Sequence, residues 1–274
     1  MTVTGIHPAD AIPRDRWLRP LIVPPGGGKP QPYTRVSTLA KVLDDKTALT
    51  RWKQRQTAIG IGMRPDLAAM AAAKKDDKRA VDEVVEQAMT VAGSSVGANL
   101  GTTLHALTEH VDAGTLPEHL PGELIPDLTA YEEATKPLKM LASEMFVVTD
   151  DIACAGSFDR LVALPDGRIV VADLKTGQSE PSYPHAAATQ IAVYSRGTPY
   201  ALPEGRAGAS LADAGVDQSV GLLIHLPVGQ ARCDLYLLNL DEGWAAALTA
   251  TWARRWLRSK PITPWTPGAT AASA

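Results

Sequence analysis

The stretch that most constrains this fold runs from Gly156 to Lys175. Two β-rich runs flank Pro165-Asp166-Gly167, the sequence of a three-residue hairpin loop whose glycine takes the left-handed region. With Leu164 paired to Arg168, counting outward sets Asp159 opposite Asp173. Period-two alternation puts Asp173 and Lys175 on one face and Leu174 on the other. Directly opposed residues have Cβ atoms roughly 4.5–5.5 Å apart, and two like charges there repel. A sheet tolerates such a pair when something positive lies between them. A divalent cation answers that need, with Lys175 next along the same face. A slip of one residue in register would undo the count. Two acids and a lysine on a hairpin also describe an ordinary solvated face. Against that, Ile169-Val170-Val171 is a continuous apolar run, the mark of a strand covered on both sides.

The 274 residues suffice for one large domain or two small ones, and at 45% hydrophobic and 21% charged they can bury a sizeable core. The net charge of −3 excludes a global basic field, so any nucleic-acid contact must come from local clusters. Three clusters stand out. Arg51, Lys53 and Arg55 surround Trp52; Lys74, Lys75, Lys78 and Arg79 form a second; Arg254, Arg255, Arg258 and Lys260 form a third. Trp52 reads either as a base-stacking surface or as a core anchor for the N-terminal helices. The two cysteines, Cys154 and Cys233, form no C-x-x-C, which excludes a cysteine zinc site, a four-cysteine iron–sulfur cluster and a disulfide framework. A reducing cytoplasm is the expected compartment. No apolar leader and no run of membrane-spanning length is expected, so no membrane partner is either.

Residues 1–32, rich in proline and carrying Gly26-Gly27-Gly28, read as a flexible, extended arm. A folded domain is expected over 33–260, helical in its first part, with a flexible tail over 261–274. A helix starting near Asp76 and Asp77 carries Val81, Val84, Val85 and Ala88 at helical spacing. The next runs from about Ala98 to Ala113 and stops at Gly114. On it Gly101, His105 and Glu109 recur every four residues beside a leucine stripe, with Asp112 a turn further. His105 thus sits at the edge of the buried face, over a glycine that lets another group approach. The run from His105 to His110 fits neither zinc-protease spacing. Glu144 to Val148 reads as a strand leading into the hairpin. After it, Gln190 and Tyr194 share one helical face, residues 198–218 read as a connection, and a second hairpin precedes a helix bearing Trp244, Trp252 and Trp256.

In order, then, come Gly101-Thr102-Thr103-Leu104-His105, Glu144, Gly156-Ser157-Phe158-Asp159, Asp173-Leu174-Lys175 and Gln190-Ile191-Ala192-Val193-Tyr194. This succession resembles the PD-(D/E)XK nucleases, in the RecB-like branch with the CRISPR-adaptation and phage-encoded exonucleases. The resemblance spans roughly residues 33–258. It implies an α/β fold with a restriction-endonuclease-like core, a mixed central β-sheet flanked by helices. It implies Mg2+ or Mn2+ held by His105, Asp159, Asp173 and the backbone carbonyl of Leu174. Glu144 would support that shell, and Lys175 would act on the water and the developing charge. Gln190 and Tyr194 would hold the nucleic acid or brace the site.

Two departures stand out. Relatives with iron–sulfur cysteines have no counterpart here, so no iron–sulfur cluster is expected. No phosphate-binding G-x-x-x-x-G-K-[ST] loop is present, so unwinding would fall to a partner, a helicase or a single-strand annealing protein. The activity the resemblance implies is a metal-dependent DNA exonuclease acting on free ends, phage-encoded and working in the host cytoplasm. The alternatives are a structure-selective endonuclease on the same core and a catalytically silent DNA-binding adaptor.

Overall fold

The chain lays down most of its helices first and its sheet second. The computed structural model describes residues 12–177, 184–260 and 262. Short strands β1 (Leu21–Ile22), β2 (Gln31–Pro32) and β3 (Thr34–Arg35) precede helices α1 (Val36–Ala40), α2 (Thr47–Met63), α3 (Pro65–Ala73), α4 (Lys78–Val91), α5 (Val96–Ala113) and α6 (Ile125–Thr135). Then follow β4 (Lys139–Thr149), β5 (Cys154–Ala163), β6 (Ile169–Lys175), α7 (His185–Ser195), β7 (Thr198–Ala201), β8 (Gly205–Arg206), β9 (Val220–His225), β10 (Asp234–Asn239) and α8 (Leu240–Arg258). Among the described residues no helix is long and apolar enough to cross a membrane.

The signals that end these helices are local. Asp77 caps α4 by accepting the Ala80 N–H at 3.1 Å, and Asn239 caps α8 through the N–H groups of Asp241 and Glu242. Gly114 closes α5 at φ 65°, a left-handed position that glycine occupies without a Cβ clash. Helix α3 has no such announcement in the spacing. Its alanine-rich run has little periodicity, and Pro65 in its first turn is its clearest mark.

The expected hairpin is the centre of an eight-stranded sheet of order β10-β9-β6-β5-β4-β7-β8, with β3 also pairing β5. Leu164 donates its N–H to the Arg168 carbonyl at 2.8 Å, and the ladder runs from there to Arg160 opposite Ala172. Most pairs are antiparallel, while β6–β9 and β3–β5 are parallel, so the sheet is mixed. The apolar run of β6 is covered on both faces. Val171 joins a core with α1, α7 and α8; Val170, Ala172 and Leu174 join a second core with Leu104 and Leu107 of α5 and Tyr131 of α6. Burying each such aliphatic side chain contributes roughly 1.5–3 kcal/mol. Helices α2, α3 and α4 make a smaller cluster of their own around Leu67, Val84 and Ala88.

Three regions differ from the sequence reading. Residues 12–32 of the N-terminal arm are irregular but tied down: Ile12 and Ile22 are buried with Phe146, Val148, Ala155 and Tyr200, covering sheet that would otherwise face water. Strand β4 begins at Lys139, five residues ahead of Glu144, with a register shift between Met140 and Ala142. The connection at 198–218 adds β7 to the edge of β4, and its buried Leu211 and Val216 fasten it to the first core. Residues 1–11 of the arm and nearly all of the 261–274 tail lie outside the described residues.

One buried charge ties α5 to the sheet. Arg160 is 1% exposed, and its Nε donates to Asp112 Oδ2 at 2.5 Å while Nη2 donates to Thr108 Oγ1 at 2.7 Å. Tyr131 Oη donates to the same Asp112 carboxylate at 2.7 Å, and the tyrosine ring lies 5.4 Å from the guanidinium. Breaking such a pair from one side leaves a charge stranded in the interior. Asp112→Ala is expected to lower unfolding free energy by about 3–5 kcal/mol in urea denaturation. A loss below about 1 kcal/mol, the range of an exposed pair, would show that Arg160 does not depend on it.

Candidate active site

The site forms where β5 and β6 part. One step beyond Arg160 and Ala172 the same register sets Asp159 opposite Asp173, but the backbone ladder has stopped. Leu174 donates its N–H to the side chain of Asp159, Oδ2 at 2.7 Å. A strand residue presents its N–H and C=O to the same side, so the Leu174 carbonyl opens on the same gap. Lys175 turns the other way and gives its carbonyl to Leu226 at 2.8 Å. Strand β6 thus continues beside β9, while β3 takes the edge of β5 at Cys154 and Ala155.

Helix α5 closes the gap from the second face. His105 Nε2 lies 3.3 Å from Asp159 Oδ2, and Nδ1 lies 3.5 Å from Glu109 Oε1. The glycine one turn before His105 is what lets the helix approach. A methyl group on Gly101 would fall 2.6 Å from Thr176 Oγ1, just past Lys175. Glu144 comes from β4. The pairs Ser143–Arg160 and Met145–Phe158 bracket it, so it too stands opposite Asp159. Its φ of 49° is uncommon for a non-glycine residue inside a strand, and held strain of this kind gathers at functional sites. Donor atoms of His105, Glu109 and Glu144 all lie within 4.8 Å of one another.

Asp173 sits deeper and is almost wholly buried. Its Oδ2 is 2.5 Å from Lys175 Nζ, and its Oδ1 accepts from Gln190 Nε2 at 3.0 Å. Tyr194 lies one turn along α7, buried against Phe158 with ring centroids 6.1 Å apart. A methyl on Gly156 would come within 3.1 Å of the Tyr194 hydroxyl. The glycine before Asp159 and the tyrosine after Gln190 therefore fit one another. Trp52 is half-buried and lines a cleft of about 740 Å³ with Gly101, His105 and Thr176, while Arg51, Lys53 and Arg55 are exposed.

Burial and crowding set the protonation of this cluster. Burial, with the charges of Asp159 and Glu109 added, pushes Glu144 up to about 7. Burial raises Asp173 to about 6, with Lys175 pulling it down and Asp159 pushing it up. Burial works against Asp159 as well, yet the hydrogen bond and charge of His105 and the Leu174 N–H hold it below the ordinary carboxylate range. The Asp159 hydrogen bond raises His105 in return. Burial opposes the charge on Lys175, but Asp173 and Asp159 keep its pKa above the ordinary lysine value. Two carboxylates that burial keeps from ionising, Glu144 and Asp173, beside the ionised Asp159 and an imidazole, form a fitting donor set for a divalent cation.

A family model for the PD-(D/E)XK nuclease superfamily matches residues 66–209, more than half of the chain, and the chain belongs to that superfamily. It is therefore a metal-dependent nuclease, a hydrolase of phosphodiester bonds, built on the superfamily's mixed α/β core. No curated protein matches it.

The structure brings His105, Glu144 and Asp159 together, and Asp173, Lys175, Gln190 and Tyr194 into a linked row beside them. Among the described residues the potential metal-holding group is His105, Glu109 and Glu144; Asp159 touches His105 but stands outside it, and Asp173 is engaged with Lys175 and Gln190. Glu109 is absent from the set the resemblance implied. Its signal was the four-residue step from His105, which is visible in the sequence but equally common on solvated helix faces.

Glu144, Asp173 and His105 all hold protons more tightly folded than unfolded. Their contribution to stability is full below the ordinary carboxylate range and is lost as pH rises through about 6 and 7. Asp159, shifted the other way, is constant in that window and matters only in stronger acid. The thermal midpoint in chelator is expected to fall between about pH 5 and 8, with Mn2+ restoring it and Glu144→Gln flattening the slope. A midpoint that rises over that window, or ignores Mn2+, would contradict this charge arrangement.

Proposed function

We propose that the protein is a divalent-metal-dependent DNA exonuclease acting on free ends, in phage recombination or DNA end processing, with residues 33–260 as its catalytic unit. The observation that carries this reading is the parting of β5 and β6. It sets the Asp173–Lys175 ion pair beside the His105–Asp159 contact, with Glu144 of β4 opposite Asp159. A bound Mg2+ or Mn2+ would stabilise charge on the phosphoryl oxygens and lower the pKa of the attacking water. His105, Asp159, Asp173 and the carbonyl of Leu174 would hold it, with Glu144 and Glu109 supporting. The imidazole in this set favours manganese as an activator.

Each remaining residue has a task in the same reading. Lys175 stays cationic beside Asp173 and offers N–H donors where negative charge develops on the phosphoryl group. It keeps 46% of its side chain exposed, enough to meet a substrate. Gln190 holds Asp173 in one rotamer through its amide, and Tyr194 supports the β5 backbone at Gly156. Trp52 offers an aromatic face in the cleft, with Arg51, Lys53 and Arg55 near it to neutralise phosphates. Strand opening is left to a helicase or an annealing protein.

Purified protein incubated with end-labelled linear and covalently closed DNA, with Mg2+, Mn2+ or chelator, tests the reading. Linear DNA should be degraded with metal and closed circles spared; cutting of closed circles would make the protein an endonuclease. Asp173→Ala and Lys175→Ala should each abolish cleavage with the fold retained. Near-wild-type cleavage by Asp173→Ala would place the active site elsewhere.

Reversing Arg51, Lys53 and Arg55 to glutamate tests the patch beside Trp52. DNA binding should weaken and its salt dependence become shallower, by about 0.9 per lost phosphate contact on duplex, with the thermal midpoint little changed. Unchanged affinity and slope would remove this patch from the DNA path.

A further inference from the structure

A further concentration of positive charge lies away from Trp52, at the other end of the exposed edge of β5. A cleft of about 450 Å³ is lined there by Arg19, Arg35, Arg254 and Arg258, with Trp17 among its walls. The four arginines come from three separate segments: the N-terminal arm, the end of β3 and the last turns of α8. Arginines in a helix's last turn commonly answer the negative end of its dipole, which would account for Arg258 and Arg255 alone. It does not account for Arg35 and Arg19 being brought to the same place. Arg19 is paired with Asp15 at 2.6 Å. Among the described residues no carboxylate pairs with Arg35, Arg254 or Arg258. Burial, then the charges of Arg258 and Arg19, depress the pKa of Arg254, with the Cys154 thiol opposing them. Like charges gathered into a half-buried cleft are stable together when an anion sits among them.

The lip of the cleft carries an aromatic surface. Trp17 is 59% exposed, and the Arg16 guanidinium lies 3.9 Å over its ring. An exposed indole beside a row of arginines is the combination that holds a nucleic-acid strand, by base stacking and by charge on the backbone. The position along β5 fits as well. Arg35 pairs with Ala155, on the edge that β6 vacates, and Asp159 is four residues further on. At roughly 3.3 Å per residue the cleft and the candidate metal site are about 13 Å apart along the strand. Along a duplex axis, where each strand carries one phosphate per roughly 3.4 Å, that is about four steps.

We propose that this arginine cleft is a phosphate-binding subsite for the nucleic-acid strand, set beside the metal site along the free edge of β5. The proposal rests on the nuclease reading above and adds to it a second, metal-independent point of attachment. It holds a phosphate a few nucleotides from the one being attacked. A strand gripped at both points cannot slide freely between them, so the cleft would also set the register of cleavage. The phosphate is either internal to the strand or the terminal 5′ group, and the chemistry of recognition is the same.

The test uses the full chain carrying both Arg35→Gln and Arg254→Gln. Binding of fluorescein-labelled single-stranded oligonucleotides, with and without a 5′ phosphate, is measured in chelator across a salt series. The affinity should fall about tenfold, and the salt slope by about 1.4 for two lost contacts at 0.7 each. Equal loss on both oligonucleotides identifies an internal phosphate, and loss confined to the phosphorylated one identifies the end; either supports the subsite. Mn2+ affinity should match the wild type, because the metal cluster is untouched. Unchanged affinity and slope on both oligonucleotides would overturn the proposal. Where the double variant melts below the wild type, exposed Arg258→Gln replaces it, with a slope change of about 0.7 expected and no change overturning the proposal. A wild type that binds through the cleft but never cleaves with metal would overturn the nuclease reading and leave the subsite standing.

Discussion

The Asp159 carboxylate accepts a backbone N–H that a neighbouring strand would otherwise take. At 2.7 Å from Leu174 it satisfies a buried donor at the point where β5 and β6 separate. An unsatisfied buried donor costs about 1–3 kcal/mol, so the separation depends on a side-chain acceptor at this position. Once the strands are apart, β3 can occupy one end of the free edge and the helix bearing His105 can close over the other. The gap at the candidate site is thus a defect in a ladder, stabilised by Asp159 itself.

The neighbouring residue does the opposite work. Arg160 points its charge into the layer formed by α5 and α6, where Asp112 and Thr108 receive it and the Tyr131 hydroxyl donates to the same Asp112 carboxylate. Two of those partners, Thr108 and Asp112, lie on the same helix as His105. The pairing therefore does more than satisfy a buried guanidinium: it fixes the height and rotation of α5 over the sheet. With α5 so placed, Gly101 meets Thr176 and His105 meets Asp159. A buried pair of this kind is seldom a gain in stability over apolar packing, and its use here is positional.

On the first core's side, α7 holds the site by one hydrogen bond and one close contact. Gln190 fixes Asp173, and Tyr194 fills the space that Gly156 leaves. Burial first, and then the charge of Asp159, hold Glu144 and Asp173 above the ordinary carboxylate range. A site in that condition favours a divalent cation over a proton as pH rises, which couples metal uptake to proton release.

Much of this was legible in the order of residues. The loop Pro165-Asp166-Gly167 set the hairpin register, because a three-residue turn allows one pairing, and from it the opposition of Asp159 and Asp173 followed by counting. The cap at Gly114 and the four-residue step from Gly101 to His105 were local signals of the same sort. Other features could not be read that way, since they depend on residues distant in sequence. The recruitment of Glu109 needed Glu144 to arrive from another strand, and the burial of Ile12 and Ile22 needed the far end of β4 and β5 to exist first. The gathering of Arg19, Arg35 and Arg254 joins segments more than two hundred residues apart. Short-range backbone geometry is written residue by residue and determined the hairpin by itself. Where charges from separate elements meet is settled by packing, and only the tertiary structure decided it.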